Sequence, residues 1–243
     1  MSQWFTIVRL MPRRLSLNGS GASAEIIARL LQESGHRVAI ADCNSLDEAP
    51  SVADLVAVGS TSSSHIVPAA KEMISLVRSF DAWRKSGTQW FAVGAGWDLL
   101  GQQIVLADGE NIPGAGIFPS EADYRSGRFI GEVQGIDYRG RPCAGYVNQL
   151  GSTELHEGVD NLLAIDSPRE QWATHDGLRA AGLFATKLGG PALALNPHWA
   201  MDVVEELLSS RGLPFEHGQF HNHLSELAEK ARRQIVERLG ATQ

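Results

Sequence analysis

Short apolar runs alternate with amphipathic segments along the first hundred residues. Four runs have the length and the β-branched or aromatic content of buried strands: Phe5 to Leu10, Arg37 to Ala41, Leu55 to Gly59 and Trp90 to Val93. Helices are predicted between them, near Ala24 to Glu33, where Ile27, Leu30 and Leu31 share one face, and from about Pro68 to Lys85. Strands that alternate with helices predict a mostly parallel sheet covered on both faces, which is an α/β fold.

The pattern changes from about Gly114 to Ile165. Shorter alternating runs there predict antiparallel strands, which form either an added sheet or the far edge of the main one. Afterwards the sequence predicts a strand at Leu183 to Thr186, a helix at Pro197 to Ser209 and a charged terminal helix at Ser225 to Leu239. With no linker or internal repeat, we expect one domain over residues 1–243, with a core at about 5–209 and the terminal helix at about 225–239.

Composition narrows the classes of partner. The chain has 243 residues, with 21 basic against 28 acidic side chains and a net charge of -7, which argues against nucleic acid as a partner. No run of about 18 apolar residues and no signal-type segment is present, so we expect a cytoplasmic protein without membrane insertion. The two cysteines, Cys43 and Cys143, lack the spacing of metal ligands, and we expect no metal site and no cofactor.

The segment from Trp90 to Gly101 is an apolar strand that runs into a tight glycine turn and then a helix. This is the backbone pattern of a nucleophile elbow, in which a strained turn presents a Ser or Cys above a sheet. The apex here is Gly94, which has no side chain with which to attack a substrate.

Five sequence blocks in the same order resemble the class I glutamine amidotransferases of the cobyric-acid-synthase-like (CobB/CobQ) group, in particular the GatD-like glutaminases. The resemblance covers roughly Phe5 to Leu208. The family patterns are V-C-G-G-Y-Q-L-L-G, D-G-x-x-I-P-G-L-G, R-x-I-G, G-F-E-N-H-x-G-x-T and G-T-Y-L-H-G-P-L-L-x-x-N-P. They correspond here to Val93–Gly101, Ala107–Ile117, Arg128–Gly131, Gly145–Thr153 and Ala185–Pro197.

The resemblance implies a flavodoxin-like three-layer α/β/α fold. It also implies a partner, because GatD-like glutaminases form a heterodimer with a MurT-like Mur ligase that amidates the peptidoglycan precursor lipid II. In such enzymes a cysteine thiolate attacks the glutamine side chain and a histidine assists. Gly94 and Gly189 stand at the places of the cysteine and the histidine, so we expect a structural or regulatory subunit without glutaminase activity.

The same resemblance implies where a glutamine-like small ligand would bind. Arg128 matches the arginine that helps to hold glutamine, and its planar fork suits a carboxylate. Gln149 stands where the family usually has a histidine, Gly59 and Ser60 belong to the loop that normally supplies oxyanion donors, and Ala95 follows the apex. These five residues are the predicted ligand-binding set.

Two alternatives stay open. The first is an active glutamine amidotransferase with a non-standard site, for which Cys143 with His156 or His175 is the candidate. The second is a stand-alone small-molecule-binding protein, in which glycine at both positions enlarges the pocket.

Two further patterns carry weaker signals of chemistry. Ser62 to Ser64 are typical of a loop or a helix cap. The cluster His217, His221 and His223 is predicted to be a solvent-facing approach to the terminal helix rather than a metal site.

Overall fold

The computed structural model describes residues 2–166 and 173–241. Its main sheet has six strands in the order β11-β12-β4-β3-β1-β2, numbered along the chain. Their bounds are β1 Trp4–Leu10, β2 Arg37–Cys43, β3 Leu55–Val58, β4 Gln89–Val93, β11 Leu178–Ala180 and β12 Leu183–Thr186. All neighbouring pairs are parallel except β11 with β12. The predicted mostly parallel sheet is confirmed.

Helices cover both faces of this sheet. One face packs against α1 (Ser23–Glu33), α5 (Ala192–Leu195) and α6 (Pro197–Ser209), and the other against α2 (Ile66–Ile74), α3 (Val77–Lys85) and α4 (Ala95–Leu100). Strand β4 shows why both faces are covered, because Phe91 and Val93 enter the first core while Trp90 and Ala92 enter the second. The result is the predicted three-layer α/β/α architecture.

A second sheet carries the remaining strands. They are β5 (Gln103–Val105), β6 (Asn111–Pro113), β7 (Ser120–Asp137), β8 (Pro142–Leu155), β9 (Leu163–Ile165), β10 (His175–Asp176) and β13 (Leu188–Gly189). Strands β7 and β8 form a long antiparallel hairpin, and β13 pairs with β8. Of the two arrangements that the sequence left open, the structure shows the added sheet.

Two helix predictions were wrong in part. The predicted helix from Pro68 to Lys85 is two helices, because the chain tightens at Ser75 and Leu76 into hydrogen bonds between residues three apart. The terminal helix α7 spans Gln219–Ala241 and therefore begins six residues earlier than predicted.

The early start of α7 also corrects the prediction for the histidine cluster. His221 is buried rather than solvent-facing, and its Nδ1 accepts a hydrogen bond from the Gly218 amide at 2.9 Å. Its ring packs against Phe215 and His217. Burial, followed by the nearby His217, lowers the pKa of His221, which agrees with a neutral core imidazole.

Candidate functional site

Three adjacent parallel strands end at the same edge of the main sheet and place three residues side by side. Ser60 follows β3, Gly94 follows β4 and Lys187 follows β12. Ligand crevices of open α/β sheets lie outside the carboxyl ends of the strands. A cavity of about 150 Å³ lies at this edge, and it is the candidate site.

Gly94 has the strained backbone of an elbow apex. Its φ of 57° and ψ of -126° lie where a side chain is disfavoured, and its amide donates to the Thr186 carbonyl at 2.8 Å. A Cβ added to Gly94 would lie 2.5 Å from the Ser60 Oγ. The space above the apex is therefore occupied by the Ser60 side chain.

Ser60 also occupies the first amide beyond the apex. Its Oγ accepts a hydrogen bond from the Ala95 N–H at 3.1 Å, and its own amide donates to the Ser20 Oγ at 2.8 Å. In a nucleophile elbow, the N–H of the residue after the nucleophile is one of the oxyanion donors. In this chain that donor is already satisfied by an internal hydroxyl.

A buried ion pair lies beneath the apex. Lys187 Nζ contacts the Asp98 carboxylate, and both side chains are almost fully buried. The same carboxylate accepts hydrogen bonds from the Tyr124 hydroxyl and the Thr153 hydroxyl, each at 2.8 Å. Burial, together with the Asp98 charge, raises the pKa of Tyr124 well above its usual value. Both carboxylate oxygens of Asp98 are engaged, so the pair is a satisfied network rather than an isolated charge.

Lys187 is held from several sides. Its Nζ lies 3.3 Å from the Gly94 carbonyl and 4.7 Å from the centre of the Trp97 ring. Its amide donates to the Asp176 carboxylate at 3.1 Å, and this buried carboxyl has its pKa raised by desolvation. The ammonium is thereby fixed against the carbonyl of the apex.

Arg128 stands on β7 at the mouth of the cavity. Its Nη1 donates to the Asn148 Oδ1 at 2.6 Å and its Nη2 to the Ser63 Oγ at 3.3 Å. No carboxylate of the described residues is ion-paired with it. Since a guanidinium has five N–H donors, several remain available to a ligand.

The other predicted ligand-binding residues fall into two groups. Ser60, Ala95 and Gln149 line the cavity together with Arg128, and Gln149 is buried, with its Nε2 donating to the Gly151 carbonyl at 3.0 Å. The Gln149 Oε1 has no hydrogen-bond partner among the described residues. Gly59 is not part of the lining, because it packs where an added Cβ would lie 2.1 Å from the Leu15 carbonyl.

Gly189 differs from Gly94 in what surrounds it. Gly189 lines the cavity, and the nearest atom to an added Cβ is the Tyr146 carbonyl oxygen at 3.5 Å, an ordinary contact. Its backbone is not left-handed. A side chain would therefore fit at Gly189 without strain, whereas at Gly94 it would collide with Ser60.

The structure does not bring Cys143 to this site. Cys143 is buried in the first core, outside the cavity lining, and burial raises the pKa of its thiol to about 12. Burial raises the pKa of Cys43 to about 11. Because the thiolate is the nucleophile, neither cysteine is prepared for attack at neutral pH.

Sequence reasoning missed three contributors to the site. Asp98 and Lys187 are charged residues inside otherwise apolar blocks, at places where the family patterns have Q and Y, and this was the available signal. The third is His65, whose Nδ1 lies 2.8 Å from the Ser62 Oγ at the exposed edge of the cavity. No described carboxylate is paired with His65 to orient it as a base.

Metal and membrane features were also sought among residues 2–166 and 173–241. No three His, Cys, Asp or Glu side chains there are arranged to hold a metal ion. None of the helices in this part is long and apolar enough to cross a membrane.

Comparison with known proteins agrees with this geometry. The chain is 21% identical over 185 residues to the GatD subunit of the glutamine-hydrolysing lipid II isoglutaminyl synthase of Staphylococcus aureus strain N315, covering 76% of this chain and 75% of that protein. Two solved structures share its fold. PurLQS from Thermotoga maritima has a TM-score of 0.50 at 12% identity over 86% of this chain and 97% of that chain. A GMP synthase protein from Thermoplasma acidophilum has a TM-score of 0.53 at 10% identity over 86% of this chain and 96% of that chain.

The family profile gives the assignment. The CobB/CobQ-like glutamine amidotransferase domain matches residues 26–196, which include β3, β4 with the glycine apex, the hairpin β7–β8 and Gly189. The chain therefore belongs to the CobB/CobQ-like glutamine amidotransferase family and is similar to the GatD subunits within it.

Proposed function

We propose that this chain is a GatD-like subunit without glutaminase activity, which acts as the structural or regulatory partner of a MurT-like Mur ligase. The observation that carries the proposal is the position of Ser60. Its hydroxyl fills the space above Gly94 and takes the Ala95 N–H, so neither a nucleophile nor a free oxyanion donor is present at the apex.

The chemistry of glutamine hydrolysis supports this proposal. It needs a thiolate for attack and an imidazole that activates the thiol and protonates the departing ammonia. Gly94 and Gly189 supply neither group, and the thiol of Cys143 is buried with a raised pKa. The active alternative would need a nucleophile that the cavity lining does not offer in an activated form.

The proposed partner comes from the relative. The S. aureus GatD is a subunit of lipid II isoglutaminyl synthase, and the resemblance pairs such subunits with a MurT-like ligase that amidates the D-glutamate of lipid II. By this proposal the chain works in the cytoplasm as part of a heterodimer and serves peptidoglycan synthesis. A fold retained without its reaction leaves binding surfaces as the property to keep.

One experiment tests the partnership. A tagged copy is expressed in its own host, and the proteins that co-purify are identified by mass spectrometry. The proposal expects a Mur-ligase-like protein in stoichiometric amount. Recovery of the tagged protein without such a ligase contradicts the subunit role.

A second experiment tests the loss of activity. The purified chain, alone and with any ligase it binds, is assayed for ammonia release from glutamine, with the S. aureus GatD as positive control. We expect no release above background. Turnover that persists in the purified protein would refute the proposal, and its loss in Cys143→Ser would assign the activity to that thiol.

A stand-alone small-molecule-binding protein is the second candidate. The observation that favours it is the open space at Gly189, beside an arginine without a carboxylate partner among the described residues. Calorimetric titration of the chain without any ligase separates this candidate from a purely structural subunit.

A further inference from the structure

The two site glycines leave spaces of different kinds. Ser60 fills the space above Gly94, whereas the space beside Gly189 stays open to the cavity. A ligand is therefore excluded from the apex and has room between Gly189 and the residues that face it. Among these are Asn18, Leu17 and Tyr146, which line the same cavity.

The charges of the lining select an anion. Asp98 and Lys187 neutralise each other in their buried pair. Arg128 then carries the one lining charge without an ionic partner in the described part of the chain, and its remaining N–H donors can hold a carboxylate. One anionic group at Arg128 balances the cavity.

The uncharged part of the lining favours a ligand with several hydroxyl groups. Hydroxyls of Ser60, Thr61, Ser62 and Ser63 and amides of Asn18 and Asn148 offer both donors and acceptors. The Gln149 side chain is 8% exposed and its Oε1 has no partner among the described residues, so a small movement would let it accept a hydrogen bond from a ligand. An apolar ligand would leave these groups without partners, which is costly.

Size and shape limit the ligand to one ring. A dry cavity of about 150 Å³ holds a molecule as large as benzene, and this cavity has the same volume. The Tyr146 side chain is 40% exposed at its edge and offers an aromatic surface to the face of a ring.

We infer that the cavity binds a sugar acid, a single hydroxylated ring that carries one carboxylate. The carboxylate lies on Arg128, the ring occupies the space beside Gly189, and the hydroxyl groups bond to the serine loop and Asn148. The ligand is bound without covalent change. This inference goes beyond the proposed function and does not require a ligase partner.

Isothermal titration of the full chain tests the inference with four probes. D-glucuronate and D-galacturonate carry both ring hydroxyls and carboxylate, glucose lacks the carboxylate, and glutamine has no ring. We expect saturable binding of at least one uronate, with glucose and glutamine at least roughly tenfold weaker, since hydrogen bonds to charged groups are worth that much or more.

Two variants locate the binding. Gly189→Leu is expected to abolish uronate binding by filling the open space, while its matched control Gly240→Leu, on an exposed helical glycine with nothing near an added Cβ, binds normally. Arg128→Gln is expected to weaken uronate binding roughly tenfold or more and to leave the weak glucose binding unchanged. Thermal melting confirms that each variant is folded.

Three results would overturn the inference. They are the failure of both uronates to bind, equal binding of glucose, and uronate binding that survives Gly189→Leu in a folded protein. Tighter binding of glutamine than of either uronate would also overturn it, and would show that the cavity retains an amino-acid ligand.

Discussion

Gly94→Cys is expected to destabilise the protein and to restore no activity. The structure gives two reasons for the cost. The backbone at Gly94 has φ 57° and ψ -126°, where a residue other than glycine is strained by about 1–3 kcal/mol. In addition, the new Cβ would lie 2.5 Å from the Ser60 Oγ, so Ser60 must move and give up its hydrogen bond from Ala95, which costs about 1 kcal/mol more.

The two terms together predict a loss of about 2–4 kcal/mol in the free energy of unfolding. For a chain of this length, each kcal/mol lowers Tm by about 2–4 °C, so we expect a decrease on the order of 5–15 °C. Urea denaturation and calorimetric melting measure both quantities. No ammonia release from glutamine is expected, because Gly189 still supplies no imidazole.

A double variant separates backbone strain from collision. Ser60→Gly removes the colliding atoms, so Gly94→Cys should cost about 1–2 kcal/mol less in the Ser60→Gly background than alone. Gly240→Cys, on an exposed helical position, is the matched control and should be close to neutral. Strict additivity of the two changes, or a single variant as stable as the parent, would refute the assignment of Ser60 to the apex space.

Two further predictions concern buried charges. Lys187→Met leaves Asp98 buried without its cation and should cost about 3–5 kcal/mol by urea denaturation, whereas Asp98→Asn with Lys187→Met should cost clearly less, and equal costs would contradict the network. Burial, followed by the Arg141 charge, lowers the pKa of His198 to about 4 from the usual 6.5, while Asp137 opposes the shift. The unfolded chain therefore binds a proton at His198 below pH 6.5 that the folded chain refuses until about pH 4, so the free energy of unfolding falls as pH drops through this window. His198→Gln should flatten that slope by up to one proton, and an unchanged slope would exclude His198 as its source.

The sequence predicted those parts of the fold in which local pattern and tertiary burial agree. The strand Leu183–Thr186 and the helix Pro197–Ser209 have the predicted bounds, because a fully apolar run and a proline at the first helical turn are strong local signals. The break between α2 and α3 was missed because the apolar spacing continues across Ser75 and Leu76 while the hydrogen bonding changes.

Predicting the site succeeded for positions and failed for contacts. Ser60, Ala95, Arg128 and Gln149 do line one cavity. That Ser60 fills the apex depends on the relative placement of two loops from different strands, to within a fraction of an ångström, which no sequence spacing encodes. The pair of Asp98 with Lys187 joins residues far apart in sequence, so only the parallel pairing of β4 and β12 brings them together.

The Asp98 carboxylate has a consequence for how the molecule opens. It binds side chains from β7 and β8 of the second sheet and from the end of β12 in the main sheet, so it joins three parts of the chain at one point. Segments linked in this way exchange their amide hydrogens together, and only through large-scale unfolding. The amides of α4 and of Lys187 should then be among the slowest to exchange, which leaves local motions of the exposed serine loop and of the hairpin edge at Tyr146 as the route by which solvent and solutes enter.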